Sequence, residues 1–265
     1  MVVIGLGKAG CNIAEMFKSY DNYKVLTYDG GKNVPLNESS EGYENGFPNK
    51  RELKKIKNET IWFFVCGAGK IAGATLRLLE QIKENKINVV YIVPDTSILS
   101  DLAKKRNRVG AGVLQQYARS GLLNSIYLVS NNSLQEIVGE APLASYYSKM
   151  NELIFNCVHS MNVFAHTEPV FGQLHEPKQI SRIRTFSFSE TKKNEKKLFF
   201  PLDNVTETCY INNIKKSEIE NNSNLISEIK SKLDDEIISS FTVYESPYDQ
   251  SYAYGIHYTH YIQEV

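Results

Sequence analysis

Short apolar, β-branched runs alternate with amphipathic stretches up to about residue 165. This alternation is typical of βαβ units, in which helices cover a parallel sheet. The pattern therefore predicts an α/β half built on five parallel strands. The predicted strands are 2–4, 24–28, 61–65, 89–93 and 125–129, and the predicted helices are 12–17, 72–83, 109–120 and 133–138.

Three parts of the chain do not follow this alternation of strands and helices. Residues 32–58 are polar and aperiodic, which predicts a loop with a short lysine-rich helix at 50–58. Residues 144–164 have helical periodicity and predict a long central helix. Beyond it the chain looks α+β. It has strands predicted at 183–189 and 207–214, a solvated turn at 192–197, a helix at 225–238 and two closing tyrosine-rich strands.

The composition excludes several classes of protein. The 265 residues carry 30 basic and 30 acidic side chains, and this zero net charge argues against direct binding of nucleic acid. The four cysteines, Cys11, Cys66, Cys157 and Cys209, form no CxxC pair and have no metal-like spacing with the histidines, so we predict reduced, packed thiols and no metal site. No apolar stretch approaches the ~20 residues that span a bilayer, and we expect no signal peptide and a cytoplasmic location.

The first glycine-rich segment follows the first predicted strand. Gly5, Gly7 and Gly10 form a GxGxxG turn that leads into a helix, where backbone N–H groups can approach a phosphate. Asp29 follows about twenty residues later, at the end of the second strand, where a Rossmann fold has an acid for the ribose. A Rossmann NAD(P)-dependent oxidoreductase is therefore one alternative, although the second half offers it no evident catalytic cluster.

A second glycine-rich segment follows the third predicted strand. Gly67, Gly69 and Gly73 again join a buried strand to a helix, and Lys70 adds a positive charge. A dehydrogenase does not need this second loop. Two such loops at neighbouring strand ends can grip one polyphosphate from both sides.

The order of these motifs resembles that of the tubulin and FtsZ superfamily of filament-forming GTPases, over some 60% of the chain. The segment Gly5-Leu6-Gly7-Lys8-Ala9-Gly10-Cys11-Asn12 is similar to the opening loop Gly-Val-Gly-Gly-Ala-Gly-Gly-Asn of FtsZ. This similarity implies that Lys8, Cys11 and Asn12 belong to the nucleotide site with the glycines. The segment 69–75 takes the place of Gly-Gly-Gly-Thr-Gly-Thr-Gly but keeps only Gly69 and Gly73. Lys70 and Ile71 bring side chains where the family has bare backbone.

Three further segments match in order and imply further site residues. Asp101 and Arg106 lie in a segment similar to Phe-Glu-Gly-Lys-Lys-Arg, whose acid and arginine contact ribose and phosphate. Asn131 lies in a segment that resembles Pro-Asn-Asp-Lys-Leu. Glu152 takes the place of the aspartate in Asn-Asp-Val-Leu, where a carboxylate can accept from guanine N1–H and N2–H₂ together.

The resemblance also places the residues of hydrolysis. In this superfamily an acidic loop after the central helix inserts into the nucleotide pocket of the next subunit. Here that stretch puts His175 and Lys178 where the two acids belong, with Glu176 beside them. A charged lysine cannot accept a proton from water. We therefore name His175 and Glu176 as the catalytic candidates and expect impaired hydrolysis.

Together these observations predict a diverged tubulin/FtsZ-like protein similar to phage or plasmid branches. Residues 1–143 would form the nucleotide-binding domain, 144–179 the central helix and inter-subunit loop, and 180–265 a smaller α+β domain. The resemblance implies GTP or GDP as ligand, with or without Mg²⁺. It also implies head-to-tail self-assembly, with phage or plasmid assembly proteins as other partners. The alternative within the same fold is a nucleotide-free structural or adaptor protein of a virion or other assembly.

Overall fold

The computed structural model describes residues 1–142, 144–190 and 196–265. The strands are β1 (Val2–Leu6), β2 (Lys24–Tyr28), β3 (Thr60–Cys66), β4 (Lys86–Val93), β5 (Ser125–Ser130), β6 (Phe171–Gln173), β7 (Ile183–Glu190), β8 (Lys197–Leu198), β9 (Glu207–Ile214), β10 (Ile238–Glu245) and β11 (Tyr252–Thr259). The helices are α1 (Gly7–Met16), α2 (Ser40–Gly46), α3 (Arg51–Lys54), α4 (Thr75–Gln81), α5 (Asp101–Arg119), α6 (Asn131–Val138), α7 (Tyr146–Phe164), α8 (Lys216–Asn221) and α9 (Leu225–Lys230).

Across the described residues, eleven strands form one mixed sheet in the order β2-β1-β3-β4-β5-β7-β11-β9-β10-β6, with β8 beside β7. The first five strands are all parallel, as predicted. β7 joins them in parallel through Ile183 and Ile126, and β11 then pairs antiparallel with both β7 and β9. The α/β half and the α+β half thus share a continuous sheet.

Side chains that alternate along the strands fill a core on each face of the sheet. Phe63 points into a core shared with α4 and α5, and its neighbour Phe64 points into a core shared with α1, α6 and α7. Both faces of a parallel sheet are covered in this way, which explains the continuous apolar runs in the sequence. The second core also takes in Tyr254 and Tyr258 of β11, so this face of the tyrosine-rich strand is part of the core.

α7 crosses the molecule on the face of the second core. It begins near the carboxyl ends of β4 and β5, and its later turns lie beside the amino ends of the first strands. There Trp62 Nε1 donates to Asn162 Oδ1 at 3.0 Å, and Tyr23 Oη lies 2.9 Å from His159 Nδ1. Its 19 residues span about 28 Å. The loops at the two ends of this helix therefore lie most of the width of the molecule apart.

Several predicted elements differ from the observed ones. The loop at 32–58 contains α2, which the Ser39 hydroxyl caps by accepting from Gly42 N at 2.9 Å, and the lysine-rich helix is only the single turn α3. The helix predicted at 225–238 ends at Lys230, because Asp234 accepts from the backbone N–H of Glu236 in a turn that precedes β10. β6 and α8 were not predicted. Of the turn at 192–197, only Lys196 and Lys197 lie within the described residues.

The buried His257 of β11 predicts an acid-sensitive fold. Burial, together with the charge of Lys196, lowers its pKa to about 3, and its Nε2 lies 2.9 Å from Ser187 Oγ. An unfolded histidine titrates near 6.5, so below that pH only the unfolded chain takes up this proton. The stabilisation is complete above pH 6.5 and declines as the pH falls toward 3. Between pH 6.5 and 5 the loss is about 2 kcal/mol.

Urea unfolding at pH 7.5 and pH 5.0 tests this expectation. His257→Gln removes the titrating group and should flatten the pH dependence by about 2 kcal/mol. His260→Gln, at the half-buried position after β11, serves as the matched control and should keep the dependence of the unmodified protein. Equal pH dependence in the His257→Gln variant and the unmodified chain would contradict this assignment.

Candidate nucleotide-binding site

The two glycine-rich loops meet at the carboxyl edge of the sheet. β1 and β3 are neighbours, and β2 lies on the other side of β1, so the strand order reverses between β1 and β3. Ligands of open α/β sheets bind at such a reversal, where the connections diverge and leave a crevice. The structure thus brings the predicted loops together.

The three glycines of the first loop have different roles. A Cβ on Gly5 would lie 2.4 Å from Gly10 O, and a Cβ on Gly10 would lie 2.3 Å from Phe64 O, so these two residues allow α1 to pack on the strands. Gly7 has φ +71° and makes the turn itself. Lys8 and Asn12 are exposed on α1. The turn at Gly7 and the first N–H groups of α1 are the parts that a ligand could contact.

The Cys11 side chain belongs to the packing. Its Sγ lies 3.5 Å from Gly5 O and 3.4 Å from Tyr28 O. Burial, with a smaller effect from the nearby charge of Asp29, raises the pKa of the thiol to about 11. The thiol is therefore neutral and directed at protein carbonyls, and only the Cys11 backbone remains for a ligand.

In the second loop, too, some residues pack against the protein and others are exposed. Gly67 packs under Tyr91 and Asn107, and a Cβ on Gly73 would lie 2.1 Å from Ser40 O of α2. Gly69 and Lys70 are exposed. Gly67 and Gly73, at the two ends of this loop, thus allow it to pack closely on Tyr91, Asn107 and Ser40. Its middle, Gly69 and Lys70, remains accessible to a ligand.

Arg106 of α5 lies at the second loop. Its Nη1 donates to Ala68 O at 2.8 Å, and the side chain is half-buried beside a cavity of about 190 Å³ that Gly67 and Gly110 also line. Among the described residues no carboxylate pairs with this guanidinium. A half-buried, unpaired arginine next to free backbone N–H groups favours an anionic ligand.

Polar residues surround the crevice after β4 and β5. Asp95, which was not among the predicted site residues, accepts from Ser97 N at 2.9 Å and from Ser97 Oγ at 2.7 Å, and these bonds, with a contact to Asn132, lower its pKa. Tyr146 lies close enough for the charge of Asp95 to contribute to its raised pKa, after burial and Tyr147. The signal for Asp95 was its position directly after a strand and Pro94.

The other predicted site residues on this side lie on helices that begin at the same edge. Asn131 is the first residue of α6, directly after β5, and Asp101 is exposed in the first turn of α5. Glu152 is exposed in the second turn of α7, and no hydrogen bond or ion pair joins its carboxylate to another described residue. These three groups are therefore available to a ligand.

The two catalytic candidates lie at the other end of α7. The ring of His175 is held on both sides, since Nδ1 lies 2.8 Å from Ser240 Oγ and Nε2 lies 3.1 Å from Glu207 Oε2. Burial would raise the pKa of Glu207, but hydrogen bonds from Ser181, from Lys178 N and from His175 outweigh it and lower the pKa. Glu176 is exposed. His175 is thus committed to contacts within its own subunit, and Glu176, like Glu168 earlier in the loop, is an exposed acid.

Nothing in the sequence pattern singled out Glu207 and Ser240. Glu207 opens an apolar strand and is only 1% exposed, and Ser240 lies in a different strand, 65 residues from His175. Within the described ranges, no group of three His, Cys, Asp or Glu side chains is arranged to hold a metal ion. Over the same ranges, no helix has the length and apolar character needed to cross a membrane.

Solved structures share this architecture. The chain superposes on TubZ from Bacillus thuringiensis serovar israelensis, in a GTPγS-form protofilament, with a TM-score of 0.75, 12% identity and coverage of 97% of this chain and 87% of that chain. It superposes on an empty FtsZ dimer from M. jannaschii with a TM-score of 0.65 and 13% identity, covering 97% of this chain and 87% of that chain. It superposes on CetZ2 from Haloferax volcanii, in a GTPγS-bound protofilament, with a TM-score of 0.66 and 14% identity, covering 97% of this chain and 92% of that chain.

The sequence matches no protein-family profile and no curated protein. At 12% to 14% identity the structural likeness shows the fold. The chain has the tubulin/FtsZ-like fold, with a mostly parallel sheet in its first half, a central helix and a second α+β half.

Proposed function

We propose that this chain binds a guanine nucleotide in the crevice between the loops after β1 and β3, and that its subunits assemble head to tail. The observation that carries the proposal is Arg106, a half-buried guanidinium bound to Ala68 O and without a carboxylate partner in the described chain. It lies at the second glycine-rich loop, which begins on the strand next to that of the first loop. An anion of high charge is the ligand that fits such donors.

Phosphate, ribose and base would occupy successive parts of the crevice. The first turn of α1, the middle of the second loop and Arg106 would bind the phosphates. Asp95, whose lowered pKa keeps it ionised, is suited to accept from ribose hydroxyls. Since the described residues offer no three-ligand metal cluster, a Mg²⁺ ion would be held chiefly by phosphate oxygens.

Guanine specificity would come from α6 and α7. Glu152 offers a free carboxylate that can accept from N1–H and N2–H₂ together, and Asn131 offers an amide at the start of α6. Tyr146 and Tyr147 lie at the start of α7, with their ring centroids 5.2 Å apart in an edge-to-face arrangement. Either ring could stack on a purine. Adenine carries no N1–H, so it would leave the carboxylate without a donor there.

Two exposed apolar surfaces support assembly. The head surface, defined by Leu36, Ile98, Leu102 and Tyr147, surrounds the crevice, and these side chains are 57% to 75% exposed. The tail surface, defined by Val170, Phe171 and Ile180, lies on the loop after α7, with exposures of 45% to 57%. Different patches at the two ends of α7 fit a heterologous contact, which propagates into a filament unless the rotation closes a ring. TubZ and CetZ2 are described as protofilaments.

Hydrolysis on assembly would depend on Glu176 or Glu168. His175 is engaged on both ring nitrogens, and Lys178 carries the wrong charge for a base. Glu176, or the exposed Glu168 earlier in the same loop, could orient water in the crevice of the next subunit. We therefore assign the chain nucleotide binding and assembly, with hydrolysis slow at best.

Arg106→Ala tests the phosphate site. Isothermal titration of the full chain with GTP, GDP, ATP and NAD should show guanine nucleotides binding best. The Arg106→Ala variant should bind them 10- to 100-fold more weakly, because about 1.5–3 kcal/mol of charge-assisted hydrogen bonding is removed. Arg108→Ala is the matched control, since Arg108 is exposed on the same helix and should leave the affinity unchanged.

A second candidate function is a nucleotide-free structural part of an assembly. Ile71 and Lys70 in the second loop and the engaged His175 favour it. No binding of any nucleotide by the unmodified chain would decide for this candidate. The Rossmann alternative has no support from the fold, because the order β2-β1-β3-β4-β5 is not the 3-2-1-4-5-6 order of a dinucleotide-binding sheet.

A further inference from the structure

Ile71 is the side chain that joins the two glycine-rich loops. A Cβ built on Gly7 would lie 2.8 Å from Ile71 Cγ2, and one built on Gly69 would lie 3.6 Å from the same methyl group. The side chain of Ile71 therefore lies directly against the turn before α1 while it belongs to the loop after β3. The crevice between the loops is closed at this point by a methyl group.

This methyl group is held in place. Ile71 lies in a short 3₁₀ helix, Lys70–Ala74, and is half-buried against the core that contains β1 and β3. Gly73, two residues later, packs on the backbone of Ser40 and prevents the loop from moving away from α2. The apolar group is thus packed against the core, unlike a fully exposed side chain that a ligand could displace by rotation.

The Ile71 methyl group offers no hydrogen bond to a phosphate, unlike the groups around it. The donors on the two loops are the N–H groups of the first turn of α1, those of the second loop, the side chain of Arg106 and the exposed side chains of Lys8 and Lys70. A phosphate held against the Ile71 methyl group would lose water without gaining a hydrogen bond, which is unfavourable for so highly charged a group. A fully buried amide nearby, Asn107 Nδ2, has no partner among the described residues and leaves an unused donor beneath the second loop.

We infer that the site selects a nucleoside diphosphate over a triphosphate, with Ile71 occupying the space that a terminal phosphate needs. The inference rests on the proposed function and narrows its ligand class. The tail loop agrees with it independently, since His175 is bound to Ser240 and Glu207. A nucleoside diphosphate has no γ-phosphate to cleave. A site that holds one would therefore keep the nucleotide as a lasting structural component of the subunit.

Titration of the full chain with GDP and GTP, each with Mg²⁺, tests the inference. The unmodified protein should bind GDP at least tenfold more tightly than GTP, a difference of ~1.4 kcal/mol. Ile71→Ala should reduce this ratio about tenfold by strengthening GTP binding, whereas Ile71→Phe should increase it. Thermal unfolding of each variant without nucleotide checks that the fold is retained. Leu76→Ala, which removes packing from the same core without touching Gly7, should leave the ratio unchanged.

The outcomes separate the inference from the function on which it rests. GTP binding as tight as GDP binding in the unmodified protein overturns the inference and leaves guanine-nucleotide binding intact. A GDP preference that Ile71→Ala and Ile71→Phe do not change overturns the role of Ile71. Absence of guanine-nucleotide binding in both the unmodified protein and Ile71→Ala overturns the proposed function, and the inference with it.

Discussion

Gly10→Ala is expected to destabilise the protein by about 3 kcal/mol or more, one of the largest effects of any single methyl group in this chain. The new Cβ would lie 2.3 Å from Phe64 O and 3.0 Å from Phe64 C, both backbone atoms of a central strand. Neither atom can rotate away, so α1 must move off the sheet. Urea unfolding followed by circular dichroism measures the change.

Gly112→Ala provides the matched control in the opposite direction. Gly112 lies inside α5, and a Cβ there would meet no atom within 4 Å. Alanine at an unstrained helix position reduces the entropy of the unfolded chain, so this variant should gain about 0.4–1 kcal/mol. A loss of stability below 1 kcal/mol for Gly10→Ala, or equal effects of the two variants, would show that α1 does not pack on β3 as described.

The second large effect concerns assembly. Ile98→Glu in the head surface and Ile180→Glu in the tail surface should each raise the critical concentration for polymers more than tenfold. A buried, unpaired carboxylate at the interface costs at least ~1.4 kcal/mol. Both side chains are well exposed in the subunit, at 75% and 57%, so neither change should affect folding. Sedimentation and light scattering with GDP and with GTP measure the critical concentration.

A mixture of the two variants is the sharper test. The intact tail of the Ile98→Glu variant can still bind the intact head of the Ile180→Glu variant, but no third subunit can join. At a concentration below the raised critical concentrations of both variants, the mixture should therefore contain 1:1 dimers, while each variant alone stays monomeric. Tyr248→Glu, at a 63% exposed position in the turn between β10 and β11 and outside both surfaces, should polymerise like the unmodified chain. At that concentration, monomers in the mixture, or polymers of either variant alone, would rule out a heterologous head-to-tail contact.

The loop after α7 bears on both the proposed assembly and the proposed slow hydrolysis. Glu207 ties His175, Ser181 and the backbone of Lys178 to the subunit's own sheet, so the tail surface is presented as an ordered segment. The same contacts remove His175 from the set of groups that could act on a neighbour's nucleotide. An ordered tail whose histidine is engaged within its own subunit, with Glu176 left as an exposed acid, fits slow hydrolysis after the proposed assembly.

Much of the first half of the fold could be predicted from local pattern. Strands and helices differ in the period of their apolar residues, and this period is visible in any short window of sequence. The observed β2 has the predicted bounds, and β1, β3, β4 and β5 differ from prediction only at their ends. The meeting of the two glycine-rich loops was also predictable, because the carboxyl ends of neighbouring parallel strands share one edge of the sheet.

Local pattern failed where a turn or a distant contact decided the outcome. The helix predicted to continue past Lys230 stops because Asp234 caps a turn before β10, and β6 forms because Val243 and Phe241 of a distant strand supply its partners. A three-residue strand has too few residues to show a period. Its existence depends on pairing alone.

The sequence by itself determined the class of fold, the order of its motifs and the residue types that surround the crevice. Only the tertiary structure decided what each of those residues does. It assigned Gly5, Gly10, Gly67 and Gly73 to close packing, placed Arg106 on the second loop, committed His175 to Glu207 and set Ile71 between the loops. The physical reason is that periodicity and capping act over a few neighbouring residues. The contacts of His175 with Glu207 and of Ile71 with Gly7 instead join residues 32 and 64 positions apart, whose proximity exists only once the sheet has formed.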